Sequence, residues 1–175
     1  MMNHIKTVWY WWWGWNPTHM ETMLERMEAA GWKLFQVDFF GIRFRFTRGK
    51  EETVRYSVDY QPEIEEDYLS IFEEDGWQMK WSGGGGWYLW RKPYTTQKPE
   101  IFTENSSLIE RNNRLLKLLT PLFYMLLFFF VILLIAGFEK FQWLIGFYVI
   151  LIGLYVYMLT QLRKYNQKLK SEIRE

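Results

Sequence analysis

The sequence predicts an α+β protein: a tandem βαββ repeat that makes an antiparallel sheet with two helices, followed by a two-helix transmembrane hairpin. Three observations predict this fold. The pair Gly31-Trp32 recurs 45 positions later as Gly76-Trp77, and most core-like positions recur in type at the same offset. Each copy alternates the periodicity of strands with that of an amphipathic helix. Near the C-terminus, three residues separate two apolar blocks of about 20 residues, 115–137 and 141–162.

The first copy begins with a strand over 7–13, which is rich in aromatic residues. A helix follows from Thr18, because Thr18 and Glu21 have the spacing of a capping box and Gly31 is a typical helix stop. The apolar stripe of this helix comprises Met20, Met23, Leu24 and Met27, and its expected solvent face comprises Glu21, Glu25 and Glu28. A hairpin about Gly41 then joins strands over 33–40 and 42–48.

The second copy repeats this order. A strand over 53–60 precedes a helix that Pro62 opens and Gly76 ends. Strands over 78–81 and 87–91 form a hairpin across the glycines of 83–86. A phosphate loop would need a helix after those glycines, and a strand pattern follows instead, so the segment is interpreted as a hairpin turn. Both helices are expected on one face of a single sheet.

The domain boundaries follow from these patterns. We expect a cytosolic domain over 1–92 with repeat units at about 5–48 and 52–92, a polar linker over 93–107, a helical hairpin over 108–162 with spans at about 118–137 and 141–160, and a basic tail over 163–175. The net charge is −3 over residues 1–100 and +4 over 101–175, so the basic excess lies beside the spans.

The flanks of the spans predict their orientation. The expected membrane-interface residues are Arg111, Arg114, Lys117, Trp143, Arg163 and Lys164. Because the basic residues lie outside the short loop, the positive-inside rule places both termini in the cytosol of a two-span protein of the cell membrane. A buried hairpin of a large soluble protein is disfavoured, since the rest of the chain is too short to cover two such helices. Gly146 and Gly153 share one face of the second span and predict close packing against the first span or a second copy.

Several function classes find no support in the composition. The soluble part is not basic, so nucleic acid is not an expected partner. The chain has no Cys and two His, neither within a nucleophile motif, so we expect no enzyme, no cofactor and no metal site. The acidic stretch over 63–75 is interpreted as a solvated face. Arg43 and Arg45 are expected to pair across strands with an acid, Asp38 or Asp59, or to bind an anion.

The tryptophans are the main candidates for binding. The residues proposed for a ligand or partner are Trp9, Trp11, Trp12, Trp13, Trp15, Trp87 and Trp90. Core packing explains one face of each strand, but it does not explain aromatics on both faces of 9–15. Three interpretations of the cluster stay open: packing alone, binding of an apolar ligand or a partner chain by the second face, and contact of that face with lipid headgroups.

Residues 5–95 resemble an uncharacterised bacterial family, the domain of unknown function 2812 group. The resemblance is carried by Met27-Glu28-Ala29-Ala30-Gly31-Trp32-Lys33-Leu34, Phe44-Arg45-Phe46, Tyr56-Ser57-Val58-Asp59-Tyr60, Tyr68, Phe72, Gly76-Trp77 and Trp87-Tyr88-Leu89-Trp90-Arg91. It implies C-terminal membrane spans and genes beside PadR-type repressors in Gram-positive bacteria, hence a stress or membrane-response role. It implies no reaction and no functional residues.

These observations predict a membrane-anchored sensing or adaptor module that binds an apolar ligand or a protein partner near the inner leaflet. The alternative is an accessory subunit of a membrane transporter or an envelope-stress complex. In either case the expected partners are the lipid bilayer and a membrane protein or a second copy of the chain.

Overall fold

The computed structural model describes residues 5–12, 17–63, 68–101, 105–136 and 138–172. The chain divides into two compact units, Met1–Thr103 and Glu104–Glu175. The described elements of the first unit are β1 (Ile5–Trp9), α1 (Thr18–Ala29), β2 (Trp32–Asp38), β3 (Arg43–Arg48), β4 (Val54–Tyr60), α2 (Tyr68–Glu74), β5 (Gln78–Gly83) and β6 (Trp87–Pro93). Those of the second unit are α3 (Asn105–Ile135) and α4 (Phe138–Glu172).

The strands form two three-stranded antiparallel sheets, with the orders β1-β3-β2 and β4-β6-β5. Each sheet contains one shift in strand register. It lies between Leu34 and Gln36 of β2 in the first sheet and between Met79 and Trp81 of β5 in the second. The predicted α+β class is confirmed, whereas the expectation of one continuous sheet is wrong. The internal duplication stays a prediction from the sequence.

Helix α1 explains why the second sheet ends at β4. The Glu25 carboxylate accepts a hydrogen bond from the Tyr56 N–H at 3.2 Å, and the Glu21 carboxylate accepts one from the Val58 N–H at 2.9 Å. These N–H groups belong to the edge of β4 that does not face β6. An edge strand usually offers such groups to another strand. Here side chains of the helix occupy them, and among the described residues no further strand pairs at this edge.

The same contacts correct the expected solvent face of α1. Glu21 and Glu28 are buried, and Glu25 is half-buried. Arg55 of β4 pairs with Glu21 at 3.3 Å and with Glu25 at 2.8 Å. The expected capping box is also absent, since α1 has no side-chain cap at its start and the Glu21 side chain contacts β4 instead.

The described residues of the first unit form a larger and a smaller hydrophobic core. The larger core joins α1 to both sheets and contains Met20, Leu24, Leu34, Val37, Phe44, Phe46, Val54, Tyr56, Val58 and Leu89. The smaller core lies under α2 and contains Trp77, Tyr88 and Trp90, with Tyr68, Leu69, Phe72 and Ile101 packed against them. Because the larger core draws residues from both sheets, the two halves of the domain bury their apolar surface together.

The segment after β6 is held against the domain. The Tyr94 N–H donates to the Thr53 carbonyl at 3.1 Å, and Lys98 pairs with Glu25 at 3.0 Å. Glu100 accepts a hydrogen bond from Arg55 at 2.9 Å. The described start of the predicted linker is thus part of the folded unit.

The second unit is an antiparallel pair of helices, and the ring pairs between them follow a single register along their length. Phe123 stacks on Tyr155 with ring centroids 5.7 Å apart, and Phe130 stacks on Tyr148 at 6.2 Å. Both helices are long and apolar enough to span a membrane, over Ser107–Ile135 and Gln142–Glu172. None of the most apolar stretch of the first is buried and only 11% of that of the second, unlike a core helix of a soluble domain.

A polar clasp joins these helices near the start of α3. The Asn112 Nδ2 donates to Asn166 Oδ1 at 2.7 Å, and the Asn166 Nδ2 donates to Asn113 Oδ1 at 3.1 Å. Arg111, also buried, donates to Asn112 Oδ1 from Nη2 at 3.2 Å. A buried amide pair of this kind favours one register, because any slip leaves its polar atoms unpaired.

Candidate functional site

An aromatic cleft of about 360 Å³ opens on the first unit. Its walls come from the segment after β1, the turn between β2 and β3, and the hairpin of β5 and β6. The lining residues are Trp11, Trp12, Phe39, Phe40, Ile42, Trp81 and Trp87. Six of these seven side chains are aromatic, so the cleft offers ring surfaces and few hydrogen-bonding groups.

One wall of the cleft is fixed by a hydrogen bond and by ring packing. The indole Nε1 of Trp12 donates to the Gly41 carbonyl at 2.7 Å. Trp12 meets Trp87 edge to face, with ring centroids 5.3 Å apart, and Trp87 packs on Tyr60 at 4.7 Å. These contacts hold the wall in place without a ligand.

Two glycines make room for the ring of Trp81. A Cβ added to Gly41 would lie 2.7 Å from that ring, and one added to Gly83 would lie 2.3 Å from it. Both distances are shorter than any ordinary contact. Trp81 therefore bridges the turn of the first sheet and the hairpin of the second.

The turn between β2 and β3 has an unusual backbone. Phe39, Phe40 and Gly41 have φ angles of 49°, 57° and 86°. Such angles suit glycine, and each bulky residue there costs about 1–3 kcal/mol. The Gly41 N–H donates to the Asp38 carbonyl at 3.2 Å, and the Ile42 N–H donates to the Phe39 carbonyl at 3.3 Å. This turn leaves the Phe40 side chain 97% exposed at the mouth of the cleft.

Two arginines hold the carboxylate at the base of this turn. Arg43 hydrogen-bonds both oxygens of Asp38, through Nε and through Nη2 at 2.7 Å, and Arg45 Nη2 donates to it at 2.8 Å. The Arg43 hydrogen bond is the main reason why the pKa of Asp38 falls to about 2. The Arg43 guanidinium also lies 4.2 Å from the Phe39 ring centroid. The expected cross-strand ion pair is confirmed, with Asp38 as its acid.

The structure brings only some of the predicted tryptophans together. Trp11, Trp12 and Trp87 line the cleft, and Trp9 lies beside it with its ring 5.3 Å from that of Phe39. Trp90 is fully buried, stacks on Phe72 at 4.8 Å and belongs to the smaller core. Trp13 and Trp15 lie outside the described residues.

The expected strand over 7–13 is too long. β1 ends at Trp9, and the Tyr10 N–H donates to the Ile42 carbonyl at 2.8 Å. Trp11 and Trp12 follow outside the strand, so the alternation of strand faces does not place their rings. Four further residues line the cleft that were not among the predicted site residues: Phe39, Phe40, Ile42 and Trp81. The sequence does carry one indication of them, a pair of phenylalanines in a hairpin turn, where polar residues are usual.

The residues predicted at the membrane interface lie on α3 and α4. The antiparallel register places Arg114 and Lys117 of α3 at the same end of the hairpin as Arg163 and Lys164 of α4. Trp143 is exposed nearer the other end.

The two predicted packing glycines of α4 do not pack on α3. A Cβ added to Gly146 or Gly153 meets no atom of the described residues within 4 Å. The alternative of packing against the first span is therefore wrong for this hairpin, and contact with another chain stays a prediction.

Comparison with known families gives one match. The sequence model of a family described as "Protein of unknown function (DUF2812)" matches residues 16–124. The match begins just before α1, includes both sheets from β2 onward and ends within α3. Neither a curated protein nor a solved structure matches the chain.

Proposed function

The chain belongs to the DUF2812 family, proteins of unknown function, and from that premise we propose that it is a membrane-anchored sensing or adaptor module whose aromatic cleft binds an apolar ligand. The cleft is the observation that carries this proposal. Ligand sites are commonly concave, mostly apolar and about 300–1,000 Å³ in volume. At about 360 Å³ this cleft suits a small molecule.

The lining indicates which ligands the cleft favours. The Trp12 indole N–H is already bonded to the Gly41 carbonyl. The other lining side chains are phenylalanines, one isoleucine and three tryptophans, whose indole N–H groups are their single polar groups. A ligand rich in polar groups would lose hydrogen bonds to water without replacing them. We therefore expect a planar or apolar ligand that is recognised by shape and by ring stacking.

The helices of the second unit support membrane anchoring. Their exposed apolar surface is poorly suited to water and well suited to lipid. In this proposal both helices span the membrane, and the end that carries Arg114, Lys117, Arg163 and Lys164 lies in the cytosol, following the positive-inside rule.

The cleft is tested by removing single rings from its mouth. Full-length protein in dodecyl maltoside is titrated with 1-naphthalenemethanol, a neutral planar probe, and binding is followed by dialysis. Trp11→Ala and Phe40→Ala should each weaken binding roughly two- to tenfold, because each removes one ring contact. Partition into detergent is the same for all variants and cancels in the comparison.

Phe35→Ala is the matched control, since Phe35 is an exposed phenylalanine of β2 outside the cleft. It should bind the probe as the wild type does. If Trp11→Ala and Phe40→Ala also match the wild type, the cleft is not the binding site and the proposal fails.

A second candidate function is supported by the glycine face of α4. Gly146 and Gly153 are seven residues apart and exposed, so another helix could approach that face closely. In this case the chain is an accessory subunit, or forms a homo-oligomer through α4. Replacing both glycines by Leu should then lower the mass of the detergent-solubilised assembly, measured by native mass spectrometry. A monomeric wild type without a partner would exclude this role.

A further inference from the structure

We propose that one face of the first unit docks on the headgroup region of a lipid bilayer. This aromatic–arginine face consists of Trp9, Trp11, Phe39, Phe40, Arg43 and Arg45. The inference rests on the proposed membrane anchoring, and it adds a contact surface that the ligand cleft alone does not require.

The register of the first sheet shows how this face forms. Trp9 pairs with Arg43, and Thr7 pairs with Arg45. Directly paired residues share a face, and their neighbours along the strands point to the other side. Phe44 and Phe46 are buried in the core, so Trp9, Arg43 and Arg45 are on the opposite, outer face. The Arg43 guanidinium lies 5.4 Å from the Trp9 ring centroid and 4.2 Å from that of Phe39.

The turn extends this face beyond the end of the sheet. Phe39 contacts Trp9, and Phe39, Phe40 and Trp11 together line the mouth of the cleft. Phe40 is 97% exposed and Trp11 is 65% exposed. An exposed phenylalanine on a left-handed backbone stabilises neither the core nor the turn. Its position is accounted for if the ring is buried by something outside the folded chain.

The chemistry of the face fits a bilayer interface. Tryptophan and other aromatic side chains partition well into the headgroup layer, and arginine pairs with lipid phosphates through its planar fork. Among the described residues, Asp38 is the acid that pairs with Arg43 and Arg45, so these three side chains together carry one net positive charge. That charge complements anionic lipid.

Membrane anchoring through the second unit would tether the first unit to a bilayer. The two helices of the second unit are long and apolar enough to span a membrane, and a tethered surface meets its target at high effective concentration. Docking would turn the mouth of the cleft toward the headgroups. An apolar ligand could then enter from the bilayer without crossing water.

The test places a reporter on the face and changes none of its residues. The chain has no Cys, so Thr7→Cys gives one attachment site for an NBD fluorophore. Thr7 is exposed on β1 and pairs with Arg45, so it lies on the same side of the sheet as the proposed docking face. Glu74→Cys, on the exposed end of α2, is the matched control. Both full-length proteins are reconstituted in vesicles of phosphatidylethanolamine and phosphatidylglycerol that contain a headgroup-labelled nitroxide lipid.

Docking predicts quenching at position 7 that is several-fold stronger than at position 74. It also predicts that Trp11→Ser with Phe40→Ser, added to the Thr7→Cys protein, abolishes the difference. Equal quenching at the two positions overturns the proposal, and so does strong quenching that survives the two serines. Flotation of the vesicles after a high-pH carbonate wash, which removes peripherally bound protein, reports separately whether the helices insert, so a failure of anchoring is distinguished from a failure of docking.

Discussion

Glu28→Gln is expected to lower the free energy of unfolding by about 3 kcal/mol, because it breaks a buried ion pair from one side. Glu28 is 1% exposed. Its carboxylate accepts hydrogen bonds from Arg91 Nη2 at 3.0 Å, from Lys33 Nζ at 2.9 Å and from the Tyr56 hydroxyl at 2.9 Å. The substitution removes the buried one of the two carboxylates that pair with Arg91 and leaves the more exposed Glu52 to compensate its charge.

The same network predicts how stability depends on pH. Burial raises the pKa of Glu28, but the hydrogen bonds from Arg91, Lys33 and Tyr56 outweigh it and leave the pKa below the ordinary value of 4.5. A carboxyl whose pKa is lower in the folded state stabilises the fold above its unfolded pKa. This contribution is lost as the pH falls from about 4.5 toward the folded value. Acid should therefore destabilise Glu28→Gln less than it destabilises the wild type.

Urea unfolding of the full-length protein in dodecyl maltoside, followed by tryptophan emission at several pH values, measures both effects. Glu74→Gln is the control, because Glu74 is exposed on α2 and should change stability by less than about 0.5 kcal/mol. If the Glu28→Gln protein unfolds at the same urea concentration as the wild type, the prediction is wrong. Glu52, the other acid bonded to Arg91, is then sufficient to compensate the charge of Arg91.

Alanine at Gly86 should destabilise the domain by more than about 3 kcal/mol, through strain and overpacking together. Gly86 has a φ of +93°, and a Cβ there would lie 2.4 Å from the Gln61 carbonyl oxygen and 2.5 Å from Pro62 Cα. Both are backbone atoms, so no side-chain rotation relieves the clash. Movement of Gln61 would also disturb the 2.7 Å hydrogen bond from its N–H to the Gly86 carbonyl.

The two preceding glycines provide graded controls. Gly85 has a φ of +83°, and its Cβ would meet no described atom within 4 Å, so Gly85→Ala should cost about 1 kcal/mol from the backbone alone. Gly84 has open space and no left-handed angle, so Gly84→Ala should stay within about 0.5 kcal/mol of the wild type. In thermal unfolding, the loss of stability should increase from Gly84→Ala to Gly85→Ala to Gly86→Ala. Equal losses would contradict this account of the turn.

The helices and strands were largely predictable, because the spacing of apolar residues along the sequence differs between a helix and a strand. The contacts of α1 were not predictable in this way. Glu21, Glu25 and Glu28 share one face of α1, and a run of acids on a helix normally faces water. The same spacing also suits hydrogen bonding to the outward N–H groups of an edge strand. Only the fold shows that β4 lies there.

The cleft was harder to predict, because its walls come from distant parts of the chain. Trp11 and Trp12 meet Trp87 only after both sheets have formed. Trp87 lines the cleft, whereas Trp90, three residues later on the same strand, is buried in the smaller core. Residue type alone does not separate these two positions. The composition shows that the chain is rich in tryptophan, but tertiary packing decides which tryptophan side chains lie at the surface.

The carboxylates along β4 also bear on how this protein avoids self-association. An uncovered edge strand accepts strands from other chains, and many proteins protect such edges with lysine, proline or a bulge. Here Glu21 and Glu25 satisfy the outward N–H groups of Val58 and Tyr56 from within the same chain. A foreign strand would have to displace the buried Glu21 and the half-buried Glu25 before it gained these hydrogen bonds. The acidic face of α1 thus makes the β4 edge of the second sheet a poor template for fibrils or swapped dimers.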